Sequence, residues 1–152
     1  MLARVVQSSD PSLSLGIPGL LDLCNYPGMA KHLEFGRACE DSALKYFLEE
    51  FPAQLVARNY RCKMGELDLI FEVNSEVNGE QSCELVVVEV RGRVRNAMVN
   101  AIESVGPKKL LKIQNTIRHF VMSYEGPARS VRLDLMAWND KSLSHIRDIW
   151  LF

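Results

Sequence analysis

An apolar run with no polar face constrains this fold more than any other feature of the chain. Residues 85–91 read Leu-Val-Val-Val-Glu-Val-Arg, so both faces of an extended strand would be mostly apolar. Such a strand needs cover on both sides, which predicts a central strand of an α/β sheet with helices on each face. A charge inside it is costly without a partner, so Glu89 predicts a site, and we expect a metal ion there. The alternative is a structural ion pair with Arg91, on the same face.

Hydrophobic periodicity predicts the elements around this strand. Residues 32–50 have helical period, with Glu40 on the apolar stripe, and Pro52 ends that helix. We predict one domain at residues 31–152, with a mixed central sheet of about five strands flanked by helices. Residues 1–30 are rich in turn residues and are predicted to be a loosely ordered N-terminal extension. The other predicted elements are strands at 55–60, 66–73, 131–137 and from about 145 to 151, a hairpin at Asn78-Gly79, and a helix from Pro107 to about Tyr124.

Charge is balanced overall but uneven along the chain. The 152 residues carry a net charge of −1, which indicates no particular partner. Residues 66–84 contain six acids and no base, whereas residues 85–118 contain seven bases and two acids. Adjacent acidic and basic blocks suit a metal site beside a phosphate, although charge runs are more often solvated surfaces.

The four cysteines do not have the spacing of a zinc site, since there is no CxxC pair and no accompanying histidine motif. We read no signal peptide, and the apolar stretches are too short to span a bilayer. The sequence therefore predicts a cytoplasmic protein with reduced thiols and no membrane partner.

Two neighbouring strands carry candidate ligands for a divalent metal. Asp68 and Glu89 would offer the hard oxygen ligands that Mg²⁺ or Mn²⁺ prefers, and the backbone carbonyl of Val90 is a third candidate. Glu40 would reach the same place from its helix, either directly or through water. The guanidinium of Arg91 would hold the phosphate of a nucleic acid, and water on the metal would attack it.

Each acid taken alone has a simpler reading. Glu40 would be an edge residue of the helix stripe, with its carboxylate in solvent. Asp68 alternates with Leu67 and Leu69, which are predicted to share a face, so it would be a solvent-facing residue. Asp134 would pair with Arg132 or with a neighbouring strand.

Several segments together resemble a known family. They look like the YraN family of uncharacterised, endonuclease-like bacterial proteins, over roughly residues 32–152. That family has the PD-(D/E)XK restriction-endonuclease-like fold and is similar to archaeal Holliday junction resolvases. The matching segments are Gly36-Arg37-Ala38-Cys39-Glu40-Asp41, Arg58-Asn59-Tyr60-Arg61, Gly65-Glu66-Leu67-Asp68-Leu69-Ile70, Val88-Glu89-Val90-Arg91 and Ala101-Ile102-Glu103-Ser104-Val105, followed by Lys109.

The resemblance implies a metal-dependent nuclease that acts on DNA, including branched or structured DNA, with Glu40, Asp68 and Glu89 as its acidic triad. Arg91 stands where the superfamily more often has lysine, and arginine cannot act as a general base. The alternative is a nucleic-acid-binding module on the same fold without catalysis. Superfamily nucleases often work as homodimers. The remaining expected site residues are Glu66, as a further acid near the metal, and the nucleic-acid-binding residues Arg91, Arg93, Arg95, Lys108, Lys109 and Lys112.

Overall fold

The computed structural model describes residues 5–6, 29–77, 79–92, 105–138 and 143–149. Within them, six strands and two helices are arranged along the chain. Neither of these helices is long and apolar enough to cross a membrane. The elements are β1 (Val5–Val6), α1 (Met29–Glu50), β2 (Ala53–Cys62), β3 (Gly65–Val77), β4 (Glu80–Arg91), α2 (Pro107–Val121), β5 (Ser130–Trp138) and β6 (Leu143–Ile146).

The strands form one mixed sheet in the order β1-β6-β5-β4-β3-β2. Strand β4 lies inside the sheet, antiparallel to β3 and parallel to β5, and the other neighbouring strands are antiparallel. The prediction of a mixed α/β sheet with residues 85–91 at its centre is confirmed. The short β1 adds a strand beyond the five that were predicted, while the division of the chain at about residue 30 stays a prediction.

Each face of the sheet carries one hydrophobic core. In β4, Leu85 and Val87 contribute to the core that includes α2, which we call the α2-side core. Val86 and Val88 contribute to the core that includes α1, which we call the α1-side core. All four side chains are almost fully buried, as predicted for a strand with helices on both faces.

The last strand differs from its prediction. It covers Leu143–Ile146, whereas the prediction ran from about 145 to 151, of which residues 150–151 lie outside the described part of the chain. Regular pairing with β5 ends at Ile146, although the Ile149 N–H still donates a 2.8 Å hydrogen bond to the Leu133 carbonyl. Between these two residues, Asp148 has a left-handed backbone with a φ of 58°. Its amide donates a 2.9 Å hydrogen bond to the Asp134 side chain instead of joining the ladder. Helix α2 likewise ends at Val121, before the predicted Tyr124.

Candidate functional site

A change of face in β2 and β3 sets the position of Asp68. Tyr60 pairs with Leu67 across the two strands, and both side chains contact the α2-side core. Leu69 belongs to the α1-side core, so the prediction that Leu67 and Leu69 share a face is wrong. Asn59, in the neighbouring strand, has a left-handed backbone with a φ of 52°, a conformation that asparagine tolerates better than most residues. Asp68 lies at the point where the strand changes face.

The Asp68 carboxylate is turned towards the backbone of β4. Regular pairing between β3 and β4 ends at Leu69 and Val88, and beyond it the Val90 N–H donates a 2.8 Å hydrogen bond to Asp68 Oδ2. Burial, and then the charge of Glu89, raise the pKa of Asp68 to about 7 in spite of this hydrogen bond. Asp68 is therefore a half-buried member of a carboxylate pair and not a solvent-facing residue.

Glu89 is the buried member of the pair, with a side chain only 3% exposed. Two cations converge on its Oε1 atom. Lys109 Nζ, from the first turn of α2, lies 2.9 Å away, and Arg91 Nε lies 3.3 Å away. The Arg91 contact lacks hydrogen-bond geometry, and among the described residues this nitrogen has no hydrogen-bond partner. The ion pair between Glu89 and Arg91 is present, and Lys109 adds a second, closer cation.

Glu40 lies near these acids but is held by β2. Its Oε2 atom accepts hydrogen bonds from Arg58 Nη2 and Asn59 Nδ2, both at 3.2 Å. Its charge still raises the pKa of Asp68, though less than burial and Glu89 do. Glu40 thus links α1 to Asn59, the left-handed residue of β2 that lies beside Asp68. Its side chain is neither an isolated residue at the edge of the helix stripe nor a full member of the carboxylate pair.

The donor set fits a cation with two protein ligands. Asp68 and Glu89 provide carboxylate oxygens, and a divalent ion would relieve the repulsion that raises the Asp68 pKa. Mg²⁺ commonly takes one or two carboxylates and completes its shell with water. Over the ranges given for the fold, no three His, Cys, Asp or Glu side chains are grouped closely enough to enclose a metal. The residues therefore fit an open metal site and not a closed cage.

Of the other predicted site residues, Glu66, Lys108 and Lys112 lie on the surface. Glu66 is half-exposed and pairs with Arg61, with Nε and Oε2 3.3 Å apart. Lys108 and Lys112 are exposed on α2. Val90 contacts the site through its amide, and the role of its carbonyl stays a prediction. The predictions for Arg93 and Arg95 fall outside the described residues.

A buried polar network on the α1 side was only partly predicted. Asp134 is fully buried and accepts a hydrogen bond from Arg132 Nε, while its other oxygen lies 2.9 Å from His145 Nε2. Arg132 also pairs with Glu84. Burial raises the pKa of Asp134, but the hydrogen bond to His145 and the Arg132 charge outweigh it, so the pKa lies below its ordinary value.

The signal for this network was a pair of charges, Arg132 and Asp134, alternating with apolar residues in a buried strand. Both pairings that the sequence left open for Asp134 are present, with Arg132 and with the neighbouring strand through His145. His145 carries no comparable signal, because the sequence gives it no partner at metal-ligand spacing. The contact between Asp134 and His145 links β5 to β6. Since both side chains are almost completely buried, the network does not form an accessible site.

The family comparison covers the strands and helix that carry this site. The model of the uncharacterised protein family UPF0102 matches residues 39–138, about two thirds of the chain. The chain belongs to the UPF0102 family. This confirms the resemblance to the YraN family. The matched range contains Glu40, Asp68, Glu89, Arg91 and Lys109.

The alignments with individual UPF0102 proteins cover most of this chain and most of each relative. A UPF0102 protein of Ralstonia nicotianae is 35% identical over 116 residues, which cover 74% of this chain and 83% of the relative. One from a Janthinobacterium species is 34% identical over 122 residues, covering 80% and 90%. One from a Sulfurihydrogenibium species is 30% identical over 113 residues, covering 74% and 90%.

Proposed function

We propose that this UPF0102 protein is a metal-dependent nuclease that hydrolyses phosphodiester bonds of DNA, including branched or structured DNA. The observation that carries the proposal is the Asp68–Glu89 pair. Two carboxylates share a partly buried position, and burial, followed by the charge of Glu89, raises the pKa of Asp68 to about 7. Such an arrangement costs the fold stability, and pKa values perturbed in this way cluster at functional sites.

The side chains around the pair suit the chemistry of a phosphodiester. Asp68 and Glu89 would hold Mg²⁺ or Mn²⁺, which supplies Lewis acidity and activates water when it is bound. Arg91, 30% exposed beside Glu89, would hold a phosphate oxygen with its guanidinium and stabilise the negative charge that develops there. The exposed Lys108 and Lys112 on α2 would contact the phosphate backbone and make binding dependent on salt.

A nucleic-acid-binding module without catalysis is the second candidate, and a specific observation favours it. Glu89 already has two cationic partners, and Glu40 is bound to Arg58 and Asn59. Both acids would then serve the fold, and the lysines of α2 would bind nucleic acid without turnover. This candidate predicts DNA binding that weakens with salt and does not require a divalent cation.

Cleavage assays with matched variants test the proposal. The full chain is incubated with Mg²⁺ or Mn²⁺ and end-labelled four-way junctions, flaps, duplexes and single strands. Asp68→Asn and Glu89→Gln should abolish cleavage while circular dichroism shows a retained fold. Glu49→Gln, which removes an exposed acid on α1, is the control and should cleave like the wild type. Equal cleavage by the wild type and both site variants would refute the mechanism, whereas binding without cleavage would support the second candidate.

A further inference from the structure

We propose that Lys109 is an internal counter-ion that occupies the cation position at Glu89 and competes with the divalent metal for that carboxylate. The inference rests on the proposed metal site and concerns its regulation. It gives Lys109 a role in controlling when the site accepts metal, in addition to any contact with nucleic acid.

The position of Lys109 is fixed by the start of α2. Its backbone N–H donates a 2.9 Å hydrogen bond to the carbonyl of Gly106, which closes the first turn of the helix. The buried side chains of Leu110 and Ile113 anchor the helix on the α2-side core. The backbone of Lys109 is therefore held by a helix that packs mainly on β3. From there its side chain reaches β4 and brings Nζ to 2.9 Å from Glu89 Oε1.

A metal bound to the same oxygen would displace the ammonium group. Mg²⁺ binds carboxylate oxygen at about 2.1 Å with near-octahedral geometry. An ammonium group held on the same oxygen would repel the ion and crowd its water ligands, so metal binding at Oε1 favours displacement of Lys109. Lysine has a flexible four-carbon stem, and the Lys109 side chain is 34% exposed, so it has a route into solvent. Its charge also lowers the pKa of Asp68, which means that it acts on both acids of the pair.

Counting charges shows what this exchange would do. Without metal, the ionised Asp68 and Glu89 are balanced by Lys109 and Arg91, and the site is neutral. A divalent cation that displaces Lys109 leaves the same region with two excess positive charges. These charges would attract the negatively charged phosphodiester of a substrate. Metal entry would thus release a lysine and create the attraction for substrate in one step, because the displaced ammonium group stays tethered next to the site.

Arg91 is the weaker competitor of the two cations. Its Nε is 3.3 Å from Oε1 and does not form a hydrogen bond with it, whereas Lys109 approaches to 2.9 Å. Removing Lys109 should therefore change metal affinity more than removing Arg91. Lys112 provides a matched control, because it has the same charge and lies one turn along α2, and within the described part of the chain no ion pair involves it.

Calorimetric titration of Mn²⁺ into the full chain at about pH 8.5, where proton competition at Asp68 is reduced, tests the inference. Lys109→Met should bind Mn²⁺ roughly tenfold more tightly than the wild type, equivalent to about 1.4 kcal/mol. Lys112→Met should bind with nearly wild-type affinity. Adding Glu89→Gln to Lys109→Met should remove the gain, since the carboxylate under competition is then absent.

Unchanged or weaker Mn²⁺ binding by Lys109→Met, or an equal gain in Lys112→Met, would overturn the inference. If Lys109→Met proves unstable, because Glu89 loses its closest partner, thermal unfolding replaces calorimetry. Mn²⁺ should then raise the unfolding temperature of Lys109→Met by more than that of the wild type, and an equal rise would also overturn it.

The two proposals fail in different ways. Tighter metal binding by Lys109→Met in a chain that cleaves no DNA would support the counter-ion and refute the nuclease. Metal-dependent cleavage of DNA, with the same Mn²⁺ affinity in the wild type and Lys109→Met, would support the nuclease and refute the counter-ion. If neither the wild type nor Lys109→Met binds Mn²⁺, both proposals are refuted.

Discussion

Replacing Asp68 with asparagine should stabilise the folded chain at neutral and alkaline pH. Asparagine has nearly the same shape, and its side-chain oxygen can still accept the hydrogen bond that the Val90 amide donates to Asp68. What the substitution removes is the charge that burial and the neighbouring Glu89 disfavour. A residue that is retained although it destabilises the fold is expected where function requires it.

The magnitude follows from the pKa of Asp68, which rises from 3.8 to about 7. Each pKa unit corresponds to about 1.36 kcal/mol, so the ionised carboxylate costs the fold at most about 4 kcal/mol. The folded state binds the proton more tightly than the unfolded state, and wild-type stability therefore falls between about pH 4 and pH 7 and is level above that. After allowing for burial of the new amide, we expect Asp68→Asn to be more stable by roughly 2–4 kcal/mol above pH 7.

Urea unfolding followed by tryptophan fluorescence measures this difference, because Trp138 is buried in the α1-side core. The gain of Asp68→Asn in free energy of unfolding should be close to zero at about pH 4 and largest above about pH 7. Glu66→Gln is the control, since it removes a half-exposed acid from the same strand and should change stability by less than about 0.5 kcal/mol throughout. Saturating Mn²⁺ should stabilise the wild type and leave Asp68→Asn unchanged.

Two results would refute this reasoning. One is a variant that is less stable than the wild type at alkaline pH, which would mean that the Asp68 charge is favourable in the fold. The other is a gain that stays the same at acidic pH, which would trace it to packing and not to ionisation.

The remaining predictions concern the parts of the fold that support the site. Arg132→Met should destabilise the chain by about 3 kcal/mol in urea unfolding, because the buried Asp134 loses a charged partner, and a loss under 1 kcal/mol would contradict this. The lowered pKa of Asp134 contributes stability above the unfolded pKa that is lost as pH falls through the folded value, so His145→Phe should flatten the acid limb of a stability–pH curve. Asn59→Ala should cost roughly 1–2 kcal/mol, since it strains the left-handed backbone and removes a hydrogen bond to Glu40, whereas Asn59→Gly should recover the part due to strain.

Local sequence pattern was sufficient to predict the centre of the fold. The apolar run before Glu89 could bury the side chains of both its faces only in a sheet that is covered on both sides. It lies inside such a sheet, in β4. The Asn78-Gly79 signal predicted the turn between β3 and β4, and Gly79 has the positive φ of 81° that makes glycine suitable. These predictions depended on residues that are neighbours in the chain, where steric preference and alternation are sufficient.

The geometry of the site was less predictable because it depends on contacts between distant elements. Alternation assumes an uninterrupted strand, and the left-handed Asn59 in β2 accompanies a change of face that no count along β3 would reveal. The close approach of Lys109 to Glu89 depends on how α2 docks on the sheet, where it packs mainly on β3. The partner of His145 depends likewise on the register between β5 and β6.

The central claim is that Asp68 and Glu89 together form a cation site, and a crystal soaked in Mn²⁺ tests it most directly. An anomalous difference map should show a peak at bonding distance, about 2 Å, from a carboxylate oxygen of each residue, with Lys109 Nζ moved away from Glu89. The same soak of Asp68→Asn should show no peak. Manganese that binds elsewhere, or an ammonium group that stays on Glu89 at saturating metal, would contradict the account.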